Sequence, residues 1–89
     1  MIRFEWSETK NALLLSKTGV SFDDVEAAIA QGDLLADVSH PNQALYSHQR
    51  ILIVKVHHYA VPYVEQEDGS LFLKTLYPSR KFNRKYLAH

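Results

Sequence analysis

The sequence predicts a small α+β protein in which a short antiparallel β-sheet carries helices at its two ends. Two segments with helical spacing follow one another in the N-terminal third, and segments with strand periodicity dominate the chain after residue 33. The composition, 46% hydrophobic and 22% charged, is that of a folded protein rather than a disordered one. Its 89 residues suffice for one domain, 1–89, with a thin core.

Residues 2–6 alternate apolar and polar side chains, which predicts a half-buried strand. A helix is then expected over residues 8–17, because Ser7 can act as its N-cap and Gly19 can end it in the left-handed conformation. Ser21 offers a second N-cap. The helix that follows it is expected to stop at Gly32.

The second half predicts a three-strand meander. Residues 34–38 favour a short strand, 39–47 a polar loop, and 49–56 a central strand that is apolar on both faces. Pro62 requires the next strand, 59–65, to be at an edge or bulged there, because proline lacks a backbone donor. The pair Asp68-Gly69 predicts a hairpin turn into a strand over 71–77. Ser79 then caps a short basic helix over 80–87.

Charge is distributed unevenly along this formally neutral chain. Five acidic residues and no Lys or Arg lie between Gly19 and Gln49, whereas five basic residues and no acid follow Asp68. A basic end suits a polyanion and an acidic middle suits a basic partner. The alternative is that both are solvated faces without a binding role.

The basic end is the best candidate for a binding site. On a helix, Arg80 lies four residues before Arg84, and Lys81 lies four before Lys85, so like charges stack near the positive end of the helix dipole. A nearby anion such as phosphate would relieve this repulsion. The interleaved aromatic residues offer base-stacking surfaces, although two of them also fit a buried helical stripe (Tyr77, Phe82 and Tyr86, the last two at i, i+4).

Metal-dependent chemistry has little support in the sequence. The chain has no cysteine, His57-His58 lacks a further ligand at metal-binding spacing, and no paired carboxylates accompany the basic end. We therefore expect no metal and no cofactor. The remaining histidines are candidates for a general base (His40, His48 and His89). Without a signal peptide or a membrane-length apolar run, the expected location is the cytoplasm, with no membrane contact.

Three segments resemble BrnT-type toxins. Residues 4–10 (FEWSETK) and 17–24 (KTGVSFDD) resemble the opening of that family, and residues 72–81 (FLKTLYPSRK) resemble its last strand and the step into a basic helix. The resemblance covers both ends and the order of elements between them. Ser7 stands where the family usually has Asp, and both cap helices. Thr18 stands where the family usually has His, so no role of that His carries over.

The resemblance implies a RelE-like fold and the toxin component of a type II toxin–antitoxin system, a ribonuclease that inhibits translation. Lys74 and Arg80 would then contact the reacting phosphate. The other implied RNA-binding residues are Lys10, Tyr77, Lys81, Arg84, Lys85 and Tyr86. The alternative function is a non-catalytic module of toxin-like fold that only binds RNA or protein.

The resemblance also implies a cognate antitoxin of ribbon-helix-helix type and either a dimer or a hetero-oligomer with that antitoxin. We expect the antitoxin to cover the basic end and thereby block the phosphate site. The acidic helix over residues 23–29 is the alternative docking surface. If the basic end is covered, Arg84→Glu weakens the complex and Asp24→Lys does not.

Overall fold

The computed structural model describes residues 2–55 and 59–78. The predicted basic helix over 80–87 lies outside these ranges. So do His57-His58 and five of the predicted site residues (Arg80, Lys81, Arg84, Lys85 and Tyr86).

The described part is an α+β arrangement of one six-stranded sheet and three helices. In chain order its elements are β1 (Phe4–Glu5), α1 (Glu8–Thr18), α2 (Phe22–Ala30), β2 (Leu34–Ser39), α3 (Gln43–Tyr46), β3 (Gln49–Val54), β4 (Tyr59–Glu65), β5 (Leu71–Leu73) and β6 (Tyr77–Pro78). The sheet order is β1-β5-β4-β3-β2, and β6 also pairs with β4.

The sheet is mixed, so the predicted antiparallel sheet is correct for the pairs among β2 to β6 and wrong for β1. β1 pairs in parallel with β5, with Phe4 opposite Leu71 and Glu5 opposite Phe72, whereas β2, β3, β4 and β5 form antiparallel neighbours. A parallel pair needs a long crossover, which the three helices and three strands between β1 and β5 provide. The meander of β3, β4 and β5 is as predicted.

Local capping explains where the first two helices begin and end. The Ser7 hydroxyl accepts a hydrogen bond from the backbone N–H of Lys10, and Gly19 ends α1 with a φ of 78°. At α2, Ser21 and Asp24 form a reciprocal capping box. Both predicted helix starts are therefore confirmed, since each side-chain oxygen satisfies a donor that the helix leaves unpaired.

Core residues line both faces of the sheet. Leu52 and Val54 belong to the buried cluster that includes Leu14 of α1 and Val25 of α2, so the two helices cover this face. The opposite face carries a second buried cluster built on Ile51, Ile53 and Ala60. β3 is thus central, as its apolar sequence predicts.

A bulge interrupts the strand predicted over 71–77. β5 and β6 both pair with β4 on the side away from β3, with Leu73 opposite Tyr63 and Tyr77 opposite Ala60. The two β4 residues between these pairs therefore face three residues, 74–76. One extra residue on one strand defines a β-bulge.

This bulge explains how a proline is accommodated inside the sheet. The carbonyl of Pro62 accepts a hydrogen bond from the backbone N–H of Lys74 at 2.8 Å, so the backbone polar atoms of Pro62 point toward the bulge. The missing donor therefore falls on the side of β4 where pairing becomes irregular, and the ladder between β3 and β4 keeps a regular register. β4 is not at an edge, and the extra residue lies on the segment paired with it rather than on β4 itself. The prediction is therefore correct only in placing an irregularity beside Pro62.

Two further predictions need correction. The predicted polar loop over 39–47 contains a short helix, α3, which the Asn42 side chain caps by accepting from the N–H of Leu45. The strand predicted over 49–56 ends at Val54. Both differences concern the ends of elements or a single helical turn, which local caps decide rather than hydrophobic periodicity.

Candidate functional site

Lys74 stands at the bulge between β5 and β6, where its backbone is fixed and its side chain is exposed. Its Nζ atom lies 5.5 Å from the centroid of the Phe72 ring. A cation over an aromatic face at this distance is stabilised by the ring quadrupole. The ammonium group is thereby held at the surface, and no carboxylate among residues 2–55 and 59–78 pairs with it, which leaves it available to an anion.

Phe72 and Lys74 form one wall of a small surface concavity of about 300 Å³, which Val64 and Gln66 complete. Phe72 lies opposite Val64 across β5 and β4. Because Leu71 and Leu73 both face the helix layer, Phe72 projects from the opposite face of the sheet. The concavity therefore combines an aromatic ring, an amide and a cation on the sheet face away from the helices.

Tyr77 lies on the same face of the sheet. It pairs with Ala60, which is four residues from Val64 on β4, and side chains at even spacing share a face. Tyr77 is 37% exposed, and partial burial raises the pKa of its phenol above the ordinary value. The phenol is therefore neutral at physiological pH and can both stack and donate a hydrogen bond.

Lys10 lies elsewhere. It belongs to the first turns of α1, whose Leu14 packs into the cluster on the helix-covered face. Lys10 and Lys74 therefore lie on opposite sides of the sheet. Among the predicted residues within the described ranges, the structure brings Lys74 and Tyr77 to one face and leaves Lys10 apart.

Phe72 had a signal in the sequence that the site prediction missed. Leu71, Phe72 and Leu73 alternate between the two faces, so an aromatic residue flanked by two core leucines is expected on the other surface. No pattern in the sequence indicated that Gln66 would line the concavity. Its position depends on the turn at 66–69, where the Gln66 carbonyl accepts from the N–H of Gly69.

A second polar cluster joins β2, β3 and β4 on the helix side of the sheet. The Tyr63 hydroxyl donates to Oδ2 of Asp37 at 2.7 Å, and Nε of Arg50 donates to Oδ1 of the same carboxylate at 3.1 Å. Arg50 also donates to the backbone carbonyl of Asp37 at 3.0 Å and to the Ser39 hydroxyl at 3.5 Å. Sequence reasoning missed this cluster because its members come from three strands.

The pKa values in this cluster indicate a structural role rather than a catalytic one. Burial, followed by the hydrogen bond to Asp37, raises the pKa of Tyr63 to about 12, and Asp37 also raises the pKa of Arg50. The phenol and the guanidinium thus keep their protons over the physiological range. Because Arg50 already uses three donors on Asp37 and Ser39 of β2, the cluster fixes strand register rather than presenting a phosphate site.

His40 is also engaged. Its Nδ1 accepts a hydrogen bond from the backbone N–H of Asn42 at 3.0 Å, and its ring lies 4.4 Å from that of Tyr46, centroid to centroid. The neutral imidazole therefore carries its proton on Nε2. As a general base His40 would have to give up the contact with Asn42. His48 is exposed immediately before β3.

Within residues 2–55 and 59–78, no cluster of three or more His, Cys, Asp or Glu could hold a metal ion, and no helix is long and apolar enough to cross a membrane. Comparison of the chain with protein-family models, curated proteins and solved structures gave no match.

Proposed function

We propose that this chain is the toxin component of a type II toxin–antitoxin system, a metal-independent ribonuclease that cleaves RNA and inhibits translation. One observation carries the proposal: Lys74 is held over Phe72 on the sheet face that also presents Tyr77, just before the acid-free basic end of the chain. The BrnT resemblance of residues 4–10, 17–24 and 72–81 supports it independently, because it does not rely on these contacts.

The chemistry requires no group beyond RNA and side chains. The ribose 2′-oxygen loses its proton to a base of the site and attacks the adjacent phosphorus. The bond to the 5′-oxygen breaks, and this oxygen takes a proton from an acid of the site, so that a 2′,3′-cyclic phosphate and a 5′-hydroxyl result. Negative charge grows on the phosphoryl oxygens, where cations stabilise it. Lys74 and Arg80 take this role, and Phe72 or Tyr77 stacks a neighbouring base.

The remaining basic side chains would hold the RNA backbone. Arg80 is followed by three more bases within a stretch that contains no acid (Lys81, Arg84 and Lys85), so they add attraction for phosphate without internal competition, and Tyr86 can stack a base. A cognate antitoxin that covers this stretch would block RNA by occupying the same charges.

Cleavage of a defined RNA in excess chelator tests the proposal. We expect the wild type to leave 2′,3′-cyclic phosphate ends, whereas Lys74→Ala and Arg80→Ala each lose about 100- to 1,000-fold in rate, the usual cost of one preorganised donor. Lys55→Ala is the matched control, because Lys55 is an exposed lysine at the end of β3. Its rate should equal that of the wild type.

The outcomes separate the alternatives. Cleavage that is lost in chelator and restored by Mg²⁺ would reject the metal-independent mechanism. Equal rates for Lys74→Ala and Lys55→Ala would remove Lys74 from the site. RNA binding that depends on Lys74 without any cleavage would instead identify a non-catalytic binding module.

A further inference from the structure

An apolar groove of about 670 Å³ runs between β1 and α2. Its apolar walls come from two residues at the N-terminal strand and from the helix face beside it (Ile2, Phe4, Ala27 and Ile29). Ile2 is 58% exposed. This groove belongs to the helix side of the molecule and is separate from the concavity beside Lys74.

Carboxylates border the groove. Asp23 and Glu26 of α2 line it directly, and a neighbouring hollow of about 500 Å³ shares Ile2 and Glu26 and adds Asp68. Within the described ranges, nothing hydrogen-bonds to or ion-pairs with Glu26, whereas Asp23 accepts from the Asn11 amide at 3.0 Å. The groove thus offers one carboxylate that a ligand can engage without breaking an existing contact.

The arginine nearest the groove is already paired with carboxylates. Arg3 lines the neighbouring hollow, but its guanidinium pairs with Glu5 at 3.2 Å and also with Asp68. The sequence places no Lys or Arg between Gly19 and Gln49. The groove therefore has an apolar floor and a rim of negatively charged side chains.

We propose that this groove binds a cationic amphipathic helix of a protein partner. Apolar residues on one stripe of such a helix would fill the floor, and Lys or Arg beside the stripe would meet Glu26 and Asp23. The negative rim repels the phosphates of RNA and of anionic lipid, so the complementary ligand is a protein segment.

A helix fits this site better than an added strand. β1 contributes only Phe4–Glu5 to the sheet edge, which leaves few backbone groups for a new ladder. Apolar side chains at successive helical turns can instead reach along α2. The proposal rests on the proposed function in one respect: the partner that would supply this helix is a cognate antitoxin, through a cationic segment different from the one that covers the basic end.

The probe is a synthetic peptide of about 18 residues, with leucines on one helical stripe and lysines elsewhere. Its affinity for the full-length chain can be measured by fluorescence anisotropy. A scrambled peptide of the same composition controls for charge alone. A leucine–glutamate peptide of the same pattern tests whether the negative charge of the rim selects a cationic ligand.

Glu26→Lys is the variant of choice. Asp24→Lys is unsuitable, because the Asp24 carboxylate accepts from the Ser21 N–H at 2.8 Å in the capping box, so its loss would weaken α2 directly. Glu8→Lys is the matched control, since Glu8 is an exposed helical acid outside the residues that line the groove. Thermal unfolding of both variants verifies that they fold.

We expect Glu26→Lys to raise the Kd of the leucine–lysine peptide about tenfold or more, and Glu8→Lys to change it less than about twofold. The leucine–glutamate peptide should bind Glu26→Lys more tightly than the wild type. Equal weakening in both variants, or equal affinity for the scrambled peptide, would overturn the proposal.

RNA cleavage measured on the same variants keeps the two proposals apart. Glu26→Lys should cleave RNA at the wild-type rate, because Glu26 and Lys74 lie on opposite sides of the sheet. A wild type that binds the peptide through Glu26 but cleaves no RNA would reject the ribonuclease and support the docking site. A wild type that cleaves RNA but does not bind the peptide through the groove would support the ribonuclease and reject the docking site.

Discussion

Replacing Tyr63 by phenylalanine removes one hydroxyl from the cluster that joins β2, β3 and β4. The ring is 4% exposed and its hydroxyl donates to the Asp37 carboxylate at 2.7 Å. Asp37 keeps its contacts with Arg50 in the variant, so the carboxylate is not left without a partner. A hydrogen bond to a charged group contributes roughly 1.5–3 kcal/mol, and we expect Tyr63→Phe to lower the free energy of unfolding by that amount at neutral pH.

The same contact makes the difference between wild type and variant depend on pH. Burial and the hydrogen bond to Asp37 raise the pKa of Tyr63 to about 12 from an unfolded value of 10.0. Because folding favours the protonated phenol, its contribution is complete below pH 10 and is lost as pH rises through about 12. At 1.36 kcal/mol per pKa unit, the loss is about 3 kcal/mol over this window.

Urea unfolding of both proteins between about pH 7 and pH 11 measures this difference. The stability gap between wild type and Tyr63→Phe should stay constant up to about pH 9 and then shrink. Tyr46→Phe is the control for general alkaline effects, because Tyr46 is an exposed tyrosine on α3. A gap that persists unchanged above pH 10, or no gap at neutral pH, would refute the role given to this hydroxyl.

Two other variants test separate parts of the structure. Ser21→Ala removes the hydroxyl that caps α2, and we expect the free energy of unfolding to fall by about 0.5–2 kcal/mol, measured in urea, while Ser16→Ala on the exposed surface of α1 has no comparable effect. Arg84→Glu reverses one charge of the basic end and should weaken the complex with a cognate antitoxin in a pull-down at low salt. An unchanged complex would mean that the antitoxin does not cover the basic end.

Local patterns predicted the elements that local contacts determine. Ser7 and Gly19 delimit α1 through hydrogen bonds within a few residues, and the same holds for Ser21 at α2. The apolar stretch around Ile51 and Ile53 is central in the sheet because it is buried on both faces. In these cases the residues that specify the structure are neighbours in sequence.

Pairings between distant segments were not predictable in this way. β1 joins β5 in parallel through an N–H···O bond from Leu71 to the Arg3 carbonyl, and neither short segment encodes its partner. The Asp37–Tyr63 contact requires the register of three strands. For the candidate site, the sequence identified Lys74 and Tyr77 individually, but their shared face depends on the bulge opposite Pro62.

The salt dependence of RNA binding offers a last test of whether Lys74 touches phosphate. Each cation that neutralises a phosphate of single-stranded nucleic acid releases counterions and contributes about −0.7 to the slope of log K against log salt concentration. Lys74→Ala should therefore reduce the magnitude of the slope by about 0.7, whereas Lys55→Ala leaves it unchanged. If Lys74 acted only through packing on Phe72, affinity would fall equally at all salt concentrations and the slope would not change. That result would move the phosphate contact from Lys74 to another basic side chain while leaving the aromatic surface in place.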